Sequence, residues 1–287
     1  MTFGTVEGLF SEVPLKIRTW IAAVLSFAAT AWMVSKIFAF EIAYLNSSLL
    51  FWKFDGLKNY YTYLYHLKYG SSYLHFTGMN YPFGEHVVFT DNQPFLSVLL
   101  RWFSLSVFDL RPWSLGILNG LMLVSLPLSA FFISFLLRRF GVRGFMGVGW
   151  AMAIAFLAPQ NYRLMGHFAL SYSFVIPAAW LLLLRYFEKP TFCRSFAFAA
   201  WTLWWAGIHF YYLALLGFFS VVMWLSFFLL RRKPVRLDFI HIAIQGVMPL
   251  ALIKIWMSAT DSATDRMVEG GFFYYRSFLD GIFFPPV

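Results

Sequence analysis

Charged residues and cysteine are scarce in this chain, and both shortages narrow the possible fold classes. Of its 287 residues, 12% are charged, 60% are hydrophobic and 22% are aromatic, whereas an ordinary soluble domain has about 25% charged residues. This small number of polar side chains could not cover the surface of a water-soluble fold. A soluble enzyme is therefore close to excluded. The single cysteine, Cys193, excludes a disulfide scaffold. The remaining class is an all-α polytopic membrane protein.

Apolar segments of membrane-spanning length recur along the chain, which we treat as one transmembrane module over 1–287. A spanning helix needs about 20 apolar residues. The stretch 195–230 lacks Asp, Glu, Lys and Arg over 36 residues, which is long enough for two crossings with a turn near 207–209. The seven predicted spans are 17–40, 113–137, 144–160, 166–184, 195–208, 211–230 and 239–257.

Basic residues divide the loops into two alternating groups. One group, which includes the amino terminus, holds twelve basic and four acidic residues, and the other holds eight basic and nine acidic. By the positive-inside rule the first group is cytoplasmic, so the amino terminus lies inside, and we expect a bacterial cytoplasmic membrane. The formal net charge of +9 is therefore a topology signal, and it predicts no nucleic-acid partner.

The first extracytoplasmic loop, 41–112, is predicted to be long and structured. An even number of spans must separate the amino terminus from the cytoplasmic loop 138–143, and two are already present. The apolar segment 93–110 therefore lies outside the membrane core, as an amphipathic interfacial helix. A second interfacial helix is predicted over 55–68, where apolar and aromatic residues recur at helical spacing. Long loops with structure of their own are usually functional.

Three acidic residues of this loop are candidates for catalysis. Asp55 stands at the start of the helix over 55–68, where it either caps the helix or serves as a partly desolvated general base. Glu85 and Asp91, with His86 between them, lie in a glycine- and proline-rich stretch that indicates a non-helical loop. They would serve acid–base roles or bind a divalent cation, or else be turn-capping and solvated residues.

Residues outside this loop suggest a phosphate site. Arg163 and His167 are separated by four residues at the entrance to the fourth span, so on a helix they would share one face, near an N-terminus that favours anions. The alternative is that Arg163 snorkels to lipid headgroups and His167 is packed. His209 and Tyr211, at a predicted outer turn, and Lys254, near the outer end of its helix, could face the same cavity. An interfacial aromatic belt and snorkelling explain them equally well.

The layout and several short motifs resemble the GT-C-fold membrane glycosyltransferases. Those enzymes share a module of seven transmembrane helices and a long first extracytoplasmic loop with two juxtamembrane helices and an acidic residue near its start. Here the loop 41–112 and Asp55 match that plan. The motifs that carry the resemblance are Asp55–Tyr60, Asn80–His86, and Arg163 with Gly166-His167 followed by Pro177.

The resemblance implies an inverting transfer of a sugar from a polyprenyl-phosphate donor. Asp55 would deprotonate an acceptor hydroxyl on a glycan, lipid or protein, outside the membrane. Arg163, with His167 and Lys58, would hold the donor phosphate. Glu85 or Asp91 would position the acceptor or a divalent cation. Asp55 is not part of an Asp-Asp or Asp-Glu pair, which departs from the family pattern.

Two other functions remain open at this stage, together with a question about the length of the chain. A transporter or flippase for a lipid-linked or anionic solute would place ionisable residues within the spans, often in repeated halves. A non-catalytic assembly subunit would not gather the loop acids around a cavity. Family members usually continue past the shared module, so we expect that the sequence ending at Val287 is a fragment.

Overall fold

The computed structural model describes residues 15–231, 235–261 and 263, so the carboxyl-terminal end of the sequence lies outside the described residues. The protein is mostly helical, as an all-α membrane protein should be. Five helices within the described residues are long and apolar enough to cross a membrane. They are Ile17–Ile37, Arg111–Arg139, Phe168–Glu188, Tyr211–Leu230 and Arg236–Thr260.

Eleven α-helices form the described part of the chain. They are α1 (Leu15–Ile37), α2 (Ala39–Ala43), α3 (Gly56–Tyr69), α4 (Pro94–Ser106), α5 (Ser114–Arg139), α6 (Gly144–Leu157), α7 (Val175–Glu188), α8 (Phe192–Ile208), α9 (Tyr211–Arg231), α10 (Arg236–Ile242) and α11 (Met248–Thr260). Single turns of 3₁₀-helix cover Val87–Phe89, Arg111–Trp113 and Phe168–Leu170, and a longer one covers Pro159–Met165. A π-helical turn, Ala243–Val247, joins α10 to α11.

A helix occupies each of the seven predicted spans, but the helices at the third and fifth spans are not among the five that are long enough to cross a membrane. α6 has 14 residues and α8 has 17, compared with the roughly 20 that a complete crossing takes. Pro159 ends α6 because proline lacks the N–H that continues a helix. The predicted turn between the fifth and sixth spans falls at His209 and Phe210, between α8 and α9.

The helices pack in sequence-neighbouring groups around aromatic cores. α1 lies against α5 and α6, and α8 lies against α7, α9 and α11. Trp205, Tyr172 and Phe198 are central to the largest core, which joins α7, α8 and α9. A second core contains Tyr60 of α3 and Phe168. It attaches α3 to the helix bundle.

The connection between α2 and α5 folds into two helices and a hairpin. Strand β1 (His75–Phe76) pairs antiparallel with β2 (Glu85–His86), a small sheet within the stretch that the sequence predicts to be a non-helical loop. Gly84, with φ +72°, makes the backbone turn that precedes β2. The predicted helices at 55–68 and 93–110 correspond to α3 and α4.

This connection covers one end of the bundle. The His86 Nε2 atom lies 3.1 Å from the Thr260 hydroxyl at the end of α11. The Phe95 ring packs directly on Gly207 at the end of α8, where a Cβ atom would lie 2.3 Å from the ring. We call this the connection end.

The opposite end carries the short basic loops, and we call it the basic end. Arg139 of α5 pairs with Glu188 of α7, and Arg138 donates a 2.9 Å hydrogen bond to the Arg18 carbonyl. The turn between α5 and α6 contains Gly141 and Gly144, whose φ angles are +85° and +65°. Gly144 is also the first residue of α6, and glycine adopts such positive φ angles at little cost.

Candidate functional site

Asp55 is placed by a tight turn before α3 that the local sequence makes possible. A Cβ atom at Gly56 would lie 1.9 Å from the Phe51 carbonyl oxygen, so only glycine fits there. Phe54 adopts φ +51°, an uncommon conformation for a residue with a large side chain. Asp55 occupies the N-cap position, but its side chain makes no capping hydrogen bond. The exposed carboxylate is therefore not used by the helix that follows it.

Arg163 and His167 do not lie on one α-helix, so that part of the prediction is wrong. Arg163 belongs to the 3₁₀-helix Pro159–Met165, and His167 follows Gly166, which ends it. The α-helix of this span begins only at Val175. Neither side chain therefore lies at the N-terminus of that helix. The His167 N–H donates a 2.7 Å hydrogen bond to the Arg163 carbonyl, which turns the chain back on itself.

The same turn nevertheless brings three predicted residues to one cavity. Asp55, Arg163 and His167 all line a cavity of about 560 Å³. The other lining residues are Phe54, Pro159, Tyr162, Met165 and Gly166. Phe54 and Tyr162 are 81% and 78% exposed, so large apolar surface borders the charged groups. An amphiphile with an anionic group would find partners for both of its parts here.

The two halves of the cavity approach each other closely at Gly166. A Cβ atom at Gly166 would lie 3.4 Å from the Asp55 nitrogen and 3.6 Å from the Phe54 Cβ. The amide of Asn59, buried in α3, donates to the carbonyls of both Asp55 and Gly166. Sequence reasoning missed Asn59, because nothing in the local sequence reveals a partner 107 residues away.

Lys58 and Asp91 bind each other beside this cavity. The Lys58 ammonium lies 2.7 Å from the Asp91 carboxylate, so the structure does not place Lys58 on the cavity as a free phosphate ligand. The His209 Nε2 atom lies 3.9 Å from the same carboxylate. Burial lowers the pKa of His209, Asp91 opposes that shift, and His167 adds to it. His209 is therefore close enough to interact electrostatically with both Asp91 and His167.

Asp91 and Gln93 both adopt left-handed backbone conformations, with φ +59° and +55°. Such conformations cost free energy in residues other than glycine. Gln93 accepts a 2.7 Å hydrogen bond from the buried Tyr172 hydroxyl. The segment that carries Asp91 is therefore held against the bundle core.

The structure does not bring Glu85, His86 and Asp91 together as one cation site. Glu85 accepts hydrogen bonds from the Asn80 amide at 3.1 Å and from the His86 N–H at 2.8 Å. His86 caps the 3₁₀-turn Val87–Phe89 through its side chain. Within residues 15–231, 235–261 and 263, no cluster of three His, Cys, Asp or Glu residues could hold a metal ion.

Two further candidates do not line the cavity. Tyr211 is 64% exposed and packs against the His209 ring at 4.7 Å between centroids. Lys254 is exposed in the middle of α11. Neither is among the residues that surround Asp55 and Arg163.

A buried histidine, His66, lies in the last turn of α3, at the opposite end of that helix from Asp55, and no sequence motif points to it. His66 of α3 is fully buried, and its two ring nitrogens have no hydrogen-bond partner within the described part of the chain. Arg101 of α4 donates to the carbonyls of Gly70 and Ser72. Burial, with a smaller contribution from the Arg101 charge, lowers the pKa of His66 to about 4.

Comparisons with known proteins identify the family of the chain. No curated protein matches it, and no solved structure matches it either. The model of a protein family described as a domain of unknown function, DUF6311, matches residues 23–286. That match covers the last six predicted spans in full, the first span from residue 23 onward, and every candidate residue of the site. The chain therefore belongs to the DUF6311 family.

Proposed function

We propose that this protein is an inverting membrane glycosyltransferase that uses a polyprenyl-phosphate-linked sugar on the extracytoplasmic face. One observation carries the proposal. Asp55, Arg163 and His167 come from segments more than a hundred residues apart, yet they line a single cavity with exposed aromatic residues at its border. A carboxylate, a guanidinium group and apolar surface are what a lipid-phosphate donor and a hydroxyl acceptor need.

The proposed reaction assigns each step to a residue of the cavity. The acceptor oxygen attacks the anomeric carbon of the donor sugar, and its proton passes to the Asp55 carboxylate. The bond between that carbon and the phosphate oxygen breaks, and its electron pair stays on the phosphate. The leaving polyprenyl phosphate gains a negative charge, which Arg163 stabilises by charge-assisted hydrogen bonds. His167 adds a further donor to the same oxygens.

The proposal includes a membrane arrangement. The seven helices at the predicted spans cross the membrane, with α6 completed by the 3₁₀-helix that follows it and α8 crossing as a short span. α3 and α4 lie in the outer interface. The basic end and the amino terminus are cytoplasmic, and the connection end is outside. The distribution of basic residues between the two ends supports this orientation.

A charge-neutral substitution at Asp55 tests the proposed function. The purified protein in lipid vesicles would be incubated with undecaprenyl-phosphate-linked hexoses, labelled in the sugar, and a membrane extract as the source of acceptors. We expect Asp55→Asn to lower transfer by about 10²–10⁴-fold, the contribution of a positioned base. Asp109→Asn is the matched control, because Asp109 is exposed in the same connection and pairs with Arg111.

The other outcomes distinguish the remaining functions. Transfer at the wild-type rate by Asp55→Asn would remove the assigned base. Movement of the labelled lipid across the vesicle membrane without transfer would instead favour a flippase. If undecaprenyl phosphate does not bind at all, or binds equally to Arg163→Gln, the cavity is not a phosphate site and an assembly subunit becomes the better explanation.

A further inference from the structure

The Asn59 side chain is hydrogen-bonded to both halves of the cavity. It lies in the first turns of α3 and is 3% exposed. Its Nδ2 atom is 2.8 Å from the Asp55 carbonyl oxygen and 2.7 Å from the Gly166 carbonyl oxygen. A primary amide has two hydrogens, so it can donate to both carbonyls at once.

These two carbonyls belong to the segments that carry the proposed reacting groups. Asp55 presents the carboxylate. Gly166 immediately precedes His167, in the turn that presents the Arg163 guanidinium group and the His167 imidazole. The Asp55 carbonyl also accepts the backbone N–H of Asn59 at 3.0 Å, so the amide is anchored on the Asp55 side. From there it reaches the second segment.

We infer that Asn59 is a positioning residue that fixes the distance between the Asp55 carboxylate and the phosphate-binding pair, Arg163 and His167. This inference rests on the proposed function for its consequence in catalysis, but not for its geometry. Asn59 is not among the residues that line the cavity, so it acts through Asp55 and Gly166. A misplacement of about 1 Å between reacting groups can cost about 10²-fold in rate.

Asn59→Asp is the sharpest substitution, because it keeps the size of the side chain and removes both donors. A carboxylate in the same place would turn its oxygens toward two carbonyl oxygens, and it would be buried without donors. The two segments should then separate. Asn59→Ser is the milder substitution, because a serine in a helix can still bond to the carbonyl four residues earlier, here that of Asp55, but it is too short to reach Gly166.

A disulfide measures the approach of the two segments without any substrate. The Cβ positions of residues 54 and 166 are 3.6 Å apart, within the roughly 3.5–4.5 Å that a disulfide needs. Phe54→Cys with Gly166→Cys, in a Cys193→Ser background, should therefore oxidise readily. We expect Asn59→Asp to slow that oxidation at least severalfold and Asn59→Ser to slow it less.

Asn119 of α5 supplies a matched control, because its amide nitrogen contacts neither half of the cavity. Its amide oxygen accepts a hydrogen bond from the Tyr60 hydroxyl, which a carboxylate at this position can also accept. It is fully buried, and its amide also donates to two carbonyls, those of Leu45 and Ser48 at 2.7 and 3.1 Å. Asn119→Asp should disturb the fold in a comparable way but leave the oxidation of the 54–166 pair unchanged. Equal slowing by Asn119→Asp would make the effect a general loss of structure and overturn the inference.

The catalytic readout is the division of the effect between kcat and KM. In the transfer assay we expect Asn59→Asp to lower kcat by about 10²-fold with a much smaller change in KM, because the substrate does not touch Asn59. An unchanged kcat, or a change confined to KM, would overturn the positioning role. If Asn59→Asp does not fold, Asn59→Ser decides the question by the same two measurements. If the wild-type protein shows no transfer, the proposed function fails, whereas the oxidation rates still test whether Asn59 joins the segments.

Discussion

The connection end and the basic end of the bundle hold their polar groups by different means. At the basic end, arginine side chains of tight loops bond to nearby acidic groups and to carbonyls at helix ends, as Arg194 does to the carbonyls of Arg185 and Lys189. At the connection end, neutral amides join segments that are far apart in sequence, as Asn59 and Asn119 do. The basic residues of the basic end can be recognised in the sequence itself, whereas the amide contacts of the connection end form only in the folded structure.

The two ends therefore carry different information: the basic end specifies the orientation of the chain in the membrane, and the connection end builds the candidate site. Arginines in short loops act one loop at a time, so they specify orientation without requiring a precise tertiary structure. The cavity needs two distant turns at a fixed separation, and single buried side chains provide it. Substitutions at the two ends should therefore fail in different ways, and four experiments of decreasing effect test that contrast.

The largest effect expected is an all-or-none difference in labelling between the two ends. Cys193 is exposed in the first turn of α8 at the basic end, and Phe83 is 83% exposed between β1 and β2. In intact spheroplasts, a membrane-impermeant maleimide should label Phe83→Cys in a Cys193→Ser background, and it should label Cys193 of the unmodified protein only after lysis. Labelling of both, or the reverse pattern, would contradict the orientation.

A pH-dependent loss of stability is expected from the connection end. The pKa of His66 is about 4 in the folded protein and about 6.5 in an unfolded chain. Between these values the unfolded chain binds the proton and the folded protein does not, so the free energy of unfolding falls as pH drops through this range, by about 3 kcal/mol at most. His66→Leu should remove this dependence in unfolding experiments at pH 4 to 7.

The matched control for that experiment is His75→Leu, an exposed histidine of the same connection. It should retain the pH dependence of the wild-type protein. A pH dependence that survives His66→Leu, or that disappears in His75→Leu, would show that another group is responsible.

A smaller loss of stability is expected from the buried network near the basic end. Gln245 accepts a hydrogen bond from Trp224 at 2.9 Å and donates one to Ser195 at 3.0 Å. Gln245→Leu leaves the Trp224 indole N–H without its acceptor, while Ser195 keeps its hydrogen bond with His241, and should lower the free energy of unfolding by about 1–2 kcal/mol. Ser226→Ala, whose hydroxyl is exposed and bonds within its own helix, should have almost no effect. Similar unfolding in mixed micelles for both variants would argue against a stabilising network.

The smallest effect is expected at Lys58. Its ion pair with Asp91 is partly exposed, and such pairs contribute under about 1 kcal/mol. Because Asp91 already occupies Lys58, Lys58→Gln should also change the binding of undecaprenyl phosphate far less than Arg163→Gln does. An equal loss of binding in the two variants would return Lys58 to the phosphate site that the sequence suggested.

Sequence patterns predict the elements whose signal lies within one segment of the chain. They miss the contacts between segments that are far apart in the sequence. Hydropathy locates the five helices that are long enough to cross a membrane and the two shorter apolar helices α6 and α8, and helical spacing finds α3. The four-residue spacing of Arg163 and His167 predicts that they share one face of an α-helix. Pro159 and Gly166 instead confine the segment to a 3₁₀-helix. No sequence pattern predicts the roles of Asn59 and His66, because those roles depend on burial against residues from other segments. The small sheet is not predicted either, because strands of two residues are too short to show a periodic pattern in the sequence.

The π-helical turn between α10 and α11 sets the rotational phase of the last described helix. A π-turn contains about one residue more than an α-helical turn, so everything after it is rotated by about 100° relative to an uninterrupted α-helix. With that offset, Trp256 packs on Phe95 and Thr260 meets His86. Deleting one residue within 243–247 would preserve a span of nearly the same length while turning these contacts away from the connection end. Among members of this family, a one-residue gap at this point would thus mark a different docking of the connection, although hydropathy profiles would look the same.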